Sequence, residues 1–465
     1  MSRFLILIRR PAVLTGLALW VSPLSSRAGP DAELPPLTNA SQLRQFSLSA
    51  AKRGCPAQLR GVSTFYHGSQ GELFVQDETG GILARVHGSY GHELGVGQLL
   101  EIQGTTLPGS SPPELEATRV TLIGEGPLPP VVRVSGNQLA DSQLTGTRVE
   151  TSGLVHAVQT DRRDALLGLE MVNGTNEVVA TIKDYHLEDC RRLVDAEVVI
   201  TGILCGAPSG QPEVRVHSMG DITVTKYAPV DPFDQPSSDL NKIPGLAHAN
   251  QPIHRLKVSG TVTLQQPGRA VFIRDRTRSF FVSTDQKTQL QPGDVIEVVG
   301  FPAVCKPLGP MLQHTAFRRM HGGAPPSPVS ISAEEGSTIA YHAALVTLEG
   351  EVLFLENDPP AALTLQSSNV IFSARLNGPA VGFPEPIRRG NRLRLTGICL
   401  PSFEPANRST GFELLLRSPA DVTMLAGIEK QRGGWMRLIL AAAFAVGTLV
   451  VVILIRLRKH RSGGP

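Results

Sequence analysis

The chain of 465 residues carries four copies of one eight-residue element, the first of which is Gly97-Gln-Leu-Leu-Glu-Ile-Gln-Gly104. Its fourth and sixth positions are apolar in every copy, which is the period-two pattern of a strand with one face in a core. Successive copies lie 97 or 98 residues apart, which indicates a tandem repeat. The closing glycine predicts a β-bulge or the close approach of another backbone. The other copies are Asp195-Ala-Glu-Val-Val-Ile-Thr-Gly202, Gly293-Asp-Val-Ile-Glu-Val-Val-Gly300 and Gly390-Asn-Arg-Leu-Arg-Leu-Thr-Gly397.

A second repeated strand lies upstream of each element and is centred on a glycine. In the first and third repeats the following strand contains Phe-[Val/Ile]-x-Asp-x-Thr, whereas the second and fourth repeats lack this motif. The repeats therefore alternate as A-B-A′-B′, as if a pair of modules had been duplicated. The central glycines are Gly61, Gly153, Gly260 and Gly350.

Several short strands in fewer than 100 residues, with glycines that permit sharp coiling, predict a small curled barrel. The five-stranded OB-fold is the leading candidate. An immunoglobulin-like sandwich is the alternative, but its Cys…Trp…Cys framework is absent, since Trp20 and Trp435 both lie outside the repeats. The predicted fold class is therefore mostly β, with tandem antiparallel OB-like barrels in an A-B-A′-B′ array, short connecting helices and one C-terminal transmembrane helix.

These patterns also divide the chain into modules. Capping boxes of the type Ser-x-x-Gln/Glu at Ser135 and Ser332 predict a short helix at the start of the second and fourth modules. The run 228–254 holds five prolines and predicts a linker between the two pairs. The predicted divisions are a signal peptide at 1–28, a lead-in with a short helix at 29–54, OB-like module 1 at 55–130, a short helix and module 2 at 131–227, the linker at 228–254, module 3 at 255–328, a short helix and module 4 at 329–428, the transmembrane helix at 438–455 and a cytoplasmic tail at 456–465.

The two ends of the chain predict its location. Arg3, Arg9 and Arg10 precede a short apolar stretch and a small-residue cleavage site, as in a secretory signal peptide, with an uncleaved anchor as the alternative. The 18 uncharged residues 438–455 are long enough to cross a bilayer, and the basic residues after them favour a cytoplasmic C-terminus. We therefore expect a single-pass protein of the bacterial inner membrane with its bulk in the periplasm.

The composition disfavours nucleic acid as a partner. The net charge is only +3 and aromatic residues make up 5%, whereas single-strand binding requires a basic groove with aromatic stacking platforms. Five cysteines are few, and odd in number, for an exported chain. Cys190 and Cys205 are the candidates for a disulfide, although buried free thiols are the favoured state for most of the five.

Catalytic motifs of the types HExxH, G-x-S-x-G, phosphate-binding glycine loop and CxxC are absent from the sequence. We therefore predict a protein that is not an enzyme, with no cofactor, no metal and no assigned ligand-binding residue. Asp77 with Thr79, and Asp275 with Thr277, are interpreted as Asx turns in hairpins rather than as ligand contacts. Two further polar stretches are interpreted as loop residues rather than as metal or proton sites. These stretches are His87/Tyr90/His92 and Asp184/Tyr185/His186.

Two groups of segments carry a resemblance to a known class of protein, and together they cover most of residues 37–425. They resemble the periplasmic OB-fold-repeat regions that precede the membrane helix in bacterial sensor histidine kinases and related signalling receptors. The resemblance implies a sensory ectodomain, without autonomous kinase activity because the sequence stops at Pro465. The segments are Leu37-Thr-Asn-Ala-Ser-Gln-Leu-Arg-Gln-Phe46, Pro56-Ala-Gln-Leu-Arg-Gly61 and Leu73-Phe-Val-Gln-Asp-Glu-Thr-Gly-Gly-Ile82, then Val262-Thr-Leu-Gln-Gln-Pro-Gly268 and Gln291-Pro-Gly-Asp-Val-Ile-Glu-Val-Val-Gly-Phe-Pro302.

Two function hypotheses follow. In the first, a membrane-anchored periplasmic sensor binds a small molecule, a glycan or a protein. It then acts through its single helix on a separate sensor kinase or another membrane signalling protein. In the second, a structural or adhesive envelope protein uses the barrels as spacers. A ligand screen by thermal shift separates the two, because a receptor gains melting temperature with some ligand class and a spacer does not.

Overall fold

The computed structural model describes residues 35–88, 93–108, 112–160, 166–205, 210–247, 251–276, 278–305, 309–356, 361–378, 382–383, 387–401, 411–425 and 448. The predicted signal peptide, the transmembrane helix apart from residue 448, and the cytoplasmic tail lie outside the described residues. Among the helices that the structure describes, none has the length and apolar character needed to cross a membrane.

Four closed rings of five strands, numbered barrels 1 to 4 along the chain, make up the described structure. In each ring the strands pair in the order 1-2-3-5-4, and strand 4 pairs with strand 1 to close the ring. Strands 3 and 5 are parallel and the other pairs are antiparallel. The predicted OB-like barrels are thus confirmed, in place of the two packed sheets of an immunoglobulin-like sandwich.

Barrels 2 and 4 each have two strands in addition to the ring. One precedes the ring and pairs in parallel with ring strand 1, and the other follows it and pairs with ring strand 4. The strands of barrel 1 are β1 (Pro56–His67), β2 (Glu72–Asp77), β3 (Gly80–Arg85), β4 (Gln98–Leu107) and β5 (Glu114–Glu125); those of barrel 2 are β6 (Val132–Arg133), β7 (Arg148–Thr160), β8 (Leu167–Asn173), β9 (Asn176–Asp184), β10 (Glu197–Cys205), β11 (Glu213–Ser218) and β12 (Ile222–Lys226); those of barrel 3 are β13 (Leu256–Gln266), β14 (Ala270–Arg274), β15 (Ser279–Ser283), β16 (Val295–Cys305) and β17 (Gly309–His321); and those of barrel 4 are β18 (Val329–Ser330), β19 (Leu345–Glu356), β20 (Ala362–Ser367), β21 (Val370–Leu376), β22 (Arg392–Pro401), β23 (Phe412–Leu416) and β24 (Val422–Met424).

A short helical segment precedes every barrel. The capping boxes predicted at Ser135 and Ser332 are both formed, and the first begins a 3-10 turn rather than an α-helix. Part of the range expected to be a linker, 228–254, is helical, because Leu240 and Ile243 are apolar and pack into the core of barrel 3. The helices are α1 (Ala40–Arg44), α2 (Leu48–Ala51), α3 (Leu187–Arg191), α4 (Ile243–Ala247) and α5 (Ala333–Gly336), with 3-10 turns at Gly68–Gln70, Gly136–Ala140, Ser142–Leu144, Met219–Asp221, Leu240–Lys242, Ile339–Tyr341 and Pro419–Asp421.

The repeated element forms ring strand 4, and its apolar positions build the barrel cores. The side chains at its fourth and sixth positions are fully buried in all four copies, which confirms the period-two prediction. A Cβ atom added to Gly104 or Gly202 would overlap a carbonyl oxygen of ring strand 5, and one added to Gly397 would lie 2.8 Å from the carbonyl oxygen of Leu415. The predicted close approach of another backbone is therefore confirmed in barrels 1, 2 and 4, whereas a Cβ added to Gly300 would first meet the side chain of Thr315, at 2.5 Å.

A β-bulge interrupts ring strand 1 at the same place in every barrel, three residues beyond the central glycine. In barrels 1 and 3 the bulged residue is Thr64 or Thr263, and its hydroxyl donates to the carbonyl of Phe74 at 3.3 Å or of Phe272 at 3.1 Å. In barrel 2 the bulged residue is His156. These bulges could not be predicted from the sequence, because a bulge is defined by which positions of two strands pair.

We expect Gly202→Ala to destabilise the chain by about 2 kcal/mol, because the added Cβ overlaps the carbonyl oxygen of Arg215 and forces strands β10 and β11 apart. Gly168→Ala is the matched control in the same barrel, where an added Cβ meets its nearest atoms at an ordinary 3.8 Å. Urea unfolding of the full-length chain measures both. Equal losses for the two variants would contradict the close approach.

Candidate functional site

Consecutive barrels dock head to tail by one rule. The residue directly after the closing glycine of one barrel packs on strands 1 and 2 of the barrel before it. This contact is heterologous, because the two surfaces that meet are different. The three contacts are Ile203 with Phe65 and Phe74, Phe301 with His156, and Ile398 with Leu264 and Phe272.

Docking covers the surface with which OB-folds usually bind ligands, the outer face of strands 2 and 3. In barrels 1 and 3 this face lies in hydrophobic clusters shared with the next barrel. In barrel 2 its residue Glu170 pairs with His314 of barrel 3, at 3.1 Å. Barrel 4 has no following barrel among the described residues, and Ile371 on its ring strand 3 is 54% exposed. In barrels 1 and 3 the uncovered part of this face lines a cleft beside the junction.

The first such site, cleft 1, opens between barrels 1 and 2 and has a volume of about 460 Å³. Strands β2 and β3 form one wall and strands β10 and β11 form the other. Phe74, Leu83 and Cys205 supply the apolar part of the lining, and Pro112 and Pro113 lie at its edge. Five charged side chains also line it.

The charged lining of cleft 1 is an ion-pair network that joins the two barrels. Arg85 Nε lies 2.6 Å from Glu114 and its Nη1 lies 3.3 Å from Glu72. From the other barrel, Arg215 lies 3.4 Å from Glu72 and 2.7 Å from Glu213. Glu72 is buried and is shared by two arginines. The hydrogen bond to Glu114 raises the pKa of Arg85 above its ordinary value, so this guanidinium stays charged.

Cleft 2 lies at the equivalent place between barrels 3 and 4 and has a volume of about 480 Å³. It is more aromatic than cleft 1, because Phe272, Phe281 and Phe412 line it. The Phe412 ring also stacks on Phe372 with 4.9 Å between the ring centroids. Its ion pair joins Arg375 to Glu413 at 2.5 Å.

Register shows which residues of the two clefts correspond. Glu213 pairs with the third residue after the closing glycine of barrel 2, and Glu413 does the same in barrel 4. Arg215, however, corresponds to Leu415, which packs in the apolar cluster of its junction. The two clefts thus have a glutamate at the same register position. The arginine that pairs with it differs, and is Arg215 in cleft 1 and Arg375 in cleft 2.

The Asx turn predicted at Asp77 is present. The backbone amides of Thr79 and Gly80 donate to Asp77 Oδ1 at 2.7 and 3.1 Å. The other Asp77 oxygen accepts from the amide of Ala40 at 2.8 Å, which ties the lead-in helix to barrel 1. Asp275 accepts from the amide of Arg278 at 2.8 Å, and Thr277 lies outside the described residues. None of these groups lines cleft 1 or cleft 2.

The described residues of the two polar stretches lie on different barrels. His87 lies 3.4 Å from Glu116 on barrel 1, whereas Tyr90 and His92 are outside the described residues. Asp184, which precedes Tyr185 and His186, lies 3.8 Å from His217 on barrel 2. Across the described ranges, no three His, Cys, Asp or Glu side chains are grouped so that they could hold a metal ion.

All five cysteines are free thiols. Cys190 lies in the core of barrel 2, where its sulfur is 3.3 Å from Met219 Sδ, while Cys205 lines cleft 1. The two candidates for a disulfide are therefore not paired. Burial raises the pKa of the Cys190 thiol to about 11 and that of Cys399 to about 12, so both are poor nucleophiles at neutral pH.

No family model matches the chain, and no curated protein does. Among solved structures, the asparaginyl-tRNA synthetase of Pyrococcus horikoshii is 20% identical, with a TM-score of 0.18, over 21% of this chain and 24% of its own. A murine DNA-binding protein bound to double-stranded DNA is 14% identical, with a TM-score of 0.20, over 38% of this chain and 98% of its own. The p204 HINb domain is 11% identical, with a TM-score of 0.19, over 36% and 95%. Likeness at this level carries no argument about function.

We expect Gly81→Ala to separate barrels 1 and 2, because a Cβ at Gly81 would overlap the backbone of Gly146 in the approach to barrel 2. The apparent free energy of unfolding should fall by about 1 to 3 kcal/mol, as for overpacking in a core. Gly124→Ala is the control in the same barrel, since an added Cβ there has no atom within 4 Å. Equal melting temperatures for the two variants would show that the backbone of barrel 1 at Gly81 does not closely approach that of Gly146.

We expect Arg215→Leu to destabilise the chain by about 1 to 3 kcal/mol, because Glu72 is buried and loses one of its two cationic partners. The substitution gives barrel 2 a leucine at the register position where barrel 4 has Leu415. Arg60→Leu is the control, since its pair with Glu101 is at the surface and is worth little. Thermal melts at low salt measure both, and a stable Arg215→Leu protein would show that the network is dispensable.

Proposed function

We propose that this chain is a non-enzymatic ligand-binding protein whose two clefts receive a small polar molecule. One observation carries the proposal: a cleft of similar volume forms twice, at equivalent junctions, with apolar walls and an ion pair in each. Volumes of about 460 and 480 Å³ fall in the usual range of small-molecule sites, roughly 300 to 1,000 Å³.

The linings support a class of ligand. In cleft 1, Arg85 and Arg215 offer donors while Glu72, Glu114 and Glu213 offer acceptors, so a ligand with both charges, such as an amino acid, matches it. In cleft 2, Arg375 and Glu413 offer a donor and acceptors for the hydroxyls of a sugar. Catalysis is no part of the proposal.

The same geometry gives a ligand a way to act. A molecule bound in either cleft contacts two barrels, so its binding stabilises the relative orientation of the barrels in which both contacts form. We propose that the chain is held in the bacterial inner membrane by the helix predicted at 438–455, with its barrels in the periplasm. The change is then passed on through that helix, whose partner is a separate sensor kinase or another membrane signalling protein.

Nucleic acid is not among the proposed ligands. Bases bind OB-folds by stacking on the face of strands 2 and 3, and that face takes part in the docking of the next barrel in barrels 1 to 3. The small net charge of +3 also provides no basic groove.

A second candidate function is a structural or adhesive spacer of the cell envelope. The hydrophobic clusters within each pair of barrels favour it, because apolar junctions of this kind hold neighbours in one arrangement without any ligand. A spacer needs no cleft with charged walls, so ligand binding decides between the two functions.

Thermal shift of the full-length chain with amino acids, dicarboxylates and short glycans tests the proposal. A ligand should raise the melting temperature by several degrees at concentrations well above its dissociation constant. Arg85→Gln should remove binding at cleft 1 and Arg375→Gln binding at cleft 2, while the surface variant Arg60→Gln should keep both.

Isothermal titration of any ligand found then gives the stoichiometry. A cleft variant should lose one class of sites and retain the other. If no ligand class shifts the melting temperature, or if binding survives in the double variant of Arg85 and Arg375, the clefts are not binding sites and the spacer function is favoured.

A further inference from the structure

The junction between barrels 2 and 3, which joins the two pairs, differs in chemistry from the other two. Apolar clusters fill the junctions within each pair. Here His156 of barrel 2 faces Phe301 and His314 of barrel 3, with ring centroids 4.0 and 6.4 Å from its own. The Arg255 guanidinium lies 5.3 Å from the centroid of the Phe301 ring. A histidine ring thus lies where the other two junctions have aliphatic or phenyl side chains.

His156 is packed into this junction with its Nε2 atom unpaired among the described residues. It occupies the bulge of β7 and is 8% exposed. Its ring is stacked on Phe301 with 18° between the planes, and its Nε2 atom has no hydrogen-bond partner among the described residues. Burial, and next the neighbouring His314, lower the pKa of His156 from 6.5 to about 4. The docked junction therefore holds this ring in its neutral form.

The other titratable groups of the junction, apart from the Arg255 guanidinium, lie beside groups of opposite charge. His314 Nε2 lies 3.1 Å from Glu170, whose pKa this hydrogen bond lowers below its ordinary value. The ring of His314 thus has a carboxylate beside it, whereas the ring of His156 has a phenyl face. The remaining charged groups are His254 with Asp195 at 2.9 Å and with Glu197 at 3.1 Å, Lys226 with Glu197 at 3.1 Å, and Arg255, whose amide donates to Asp195 at 3.0 Å.

We propose that the junction between barrels 2 and 3 is an acid-sensitive joint, at which protonation of His156 parts its ring from Phe301 and lets the two pairs of barrels reorient. Such a joint responds to acidity in the absence of any ligand. It goes beyond the proposed function, since it needs neither cleft.

The direction of the pH dependence follows from linkage. When the junction opens, the ring regains water and its ordinary pKa of 6.5, whereas the docked ring has a pKa of about 4. Above pH 6.5 the ring is neutral in both states and docking is fully stable. As the pH falls below 6.5, the open state binds the proton first, and docking weakens until the docked ring is protonated as well. At pH 5 these two pKa values shift the equilibrium about 30-fold toward the open state.

Energy transfer between dyes on the two outer barrels of the full-length chain tests the joint. Thr118→Cys on barrel 1 and Gln366→Cys on barrel 4 are exposed labelling sites. We expect the transfer efficiency to change between pH 7.5 and pH 5 without ligand, and the change to be absent in His156→Phe, which keeps an aromatic stack but cannot be protonated. Where that variant fails to fold, His156→Gln removes the same proton site.

His314→Gln and His254→Gln are the matched variants at the same junction and should retain the pH response. A transfer efficiency that stays constant down to pH 5 in the unmodified chain would overturn the joint. So would a response that persists in His156→Phe, or one that disappears in His254→Gln instead. Because the measurement is made without ligand, its outcome is independent of whether the clefts bind anything.

Discussion

The close approach of ring strands 4 and 5 at the closing glycine is the constraint on which the rest of the structure depends. A side chain at Gly104 or Gly202 would overlap the carbonyl oxygen of the neighbouring strand, so the barrel can close tightly only where that position has none. The same glycine places the next residue at the outer surface of the barrel. That residue is Ile203 at one junction and Ile398 at another, and each docks on the barrel before it. Barrel closure and barrel docking therefore have one local cause.

Docking in turn makes part of the usual binding face of an OB-like barrel one wall of a cleft between two barrels. The outer face of strands 2 and 3 takes part in three junctions, and the open space lies beside two of them, where charges of both barrels meet. The third junction has histidine where the others have aliphatic or phenyl groups. The array thus consists of two pairs joined internally by apolar clusters, with an ion-pair network beside the cluster between barrels 1 and 2, and a histidine-containing contact between the pairs.

Much of the fold could be predicted from local patterns. The apolar fourth and sixth positions of the repeated element are all buried, and the capping boxes at Ser135 and Ser332 are formed. Such features depend on residues within one strand or one helical turn, so their signal lies within a few residues. Helix α4 was missed because prolines dominate its surroundings. The additional strands of barrels 2 and 4 were missed because a strand of two to five residues has too short a pattern to recognise.

The order of amino acids alone indicated how many barrels there are, where their strands lie and which side of each strand faces its own core, because alternation along a strand reports its burial. The clefts and the joint appear only in the folded array. Glu72, Arg85 and Arg215 belong to three strands of two barrels, and His156 of barrel 2 stacks on Phe301 of barrel 3. Alternation shows that a residue points away from its own core, but it does not show which residue of another barrel it will contact. The docking of the barrels determines those contacts, and therefore which outward-facing charges and rings come together.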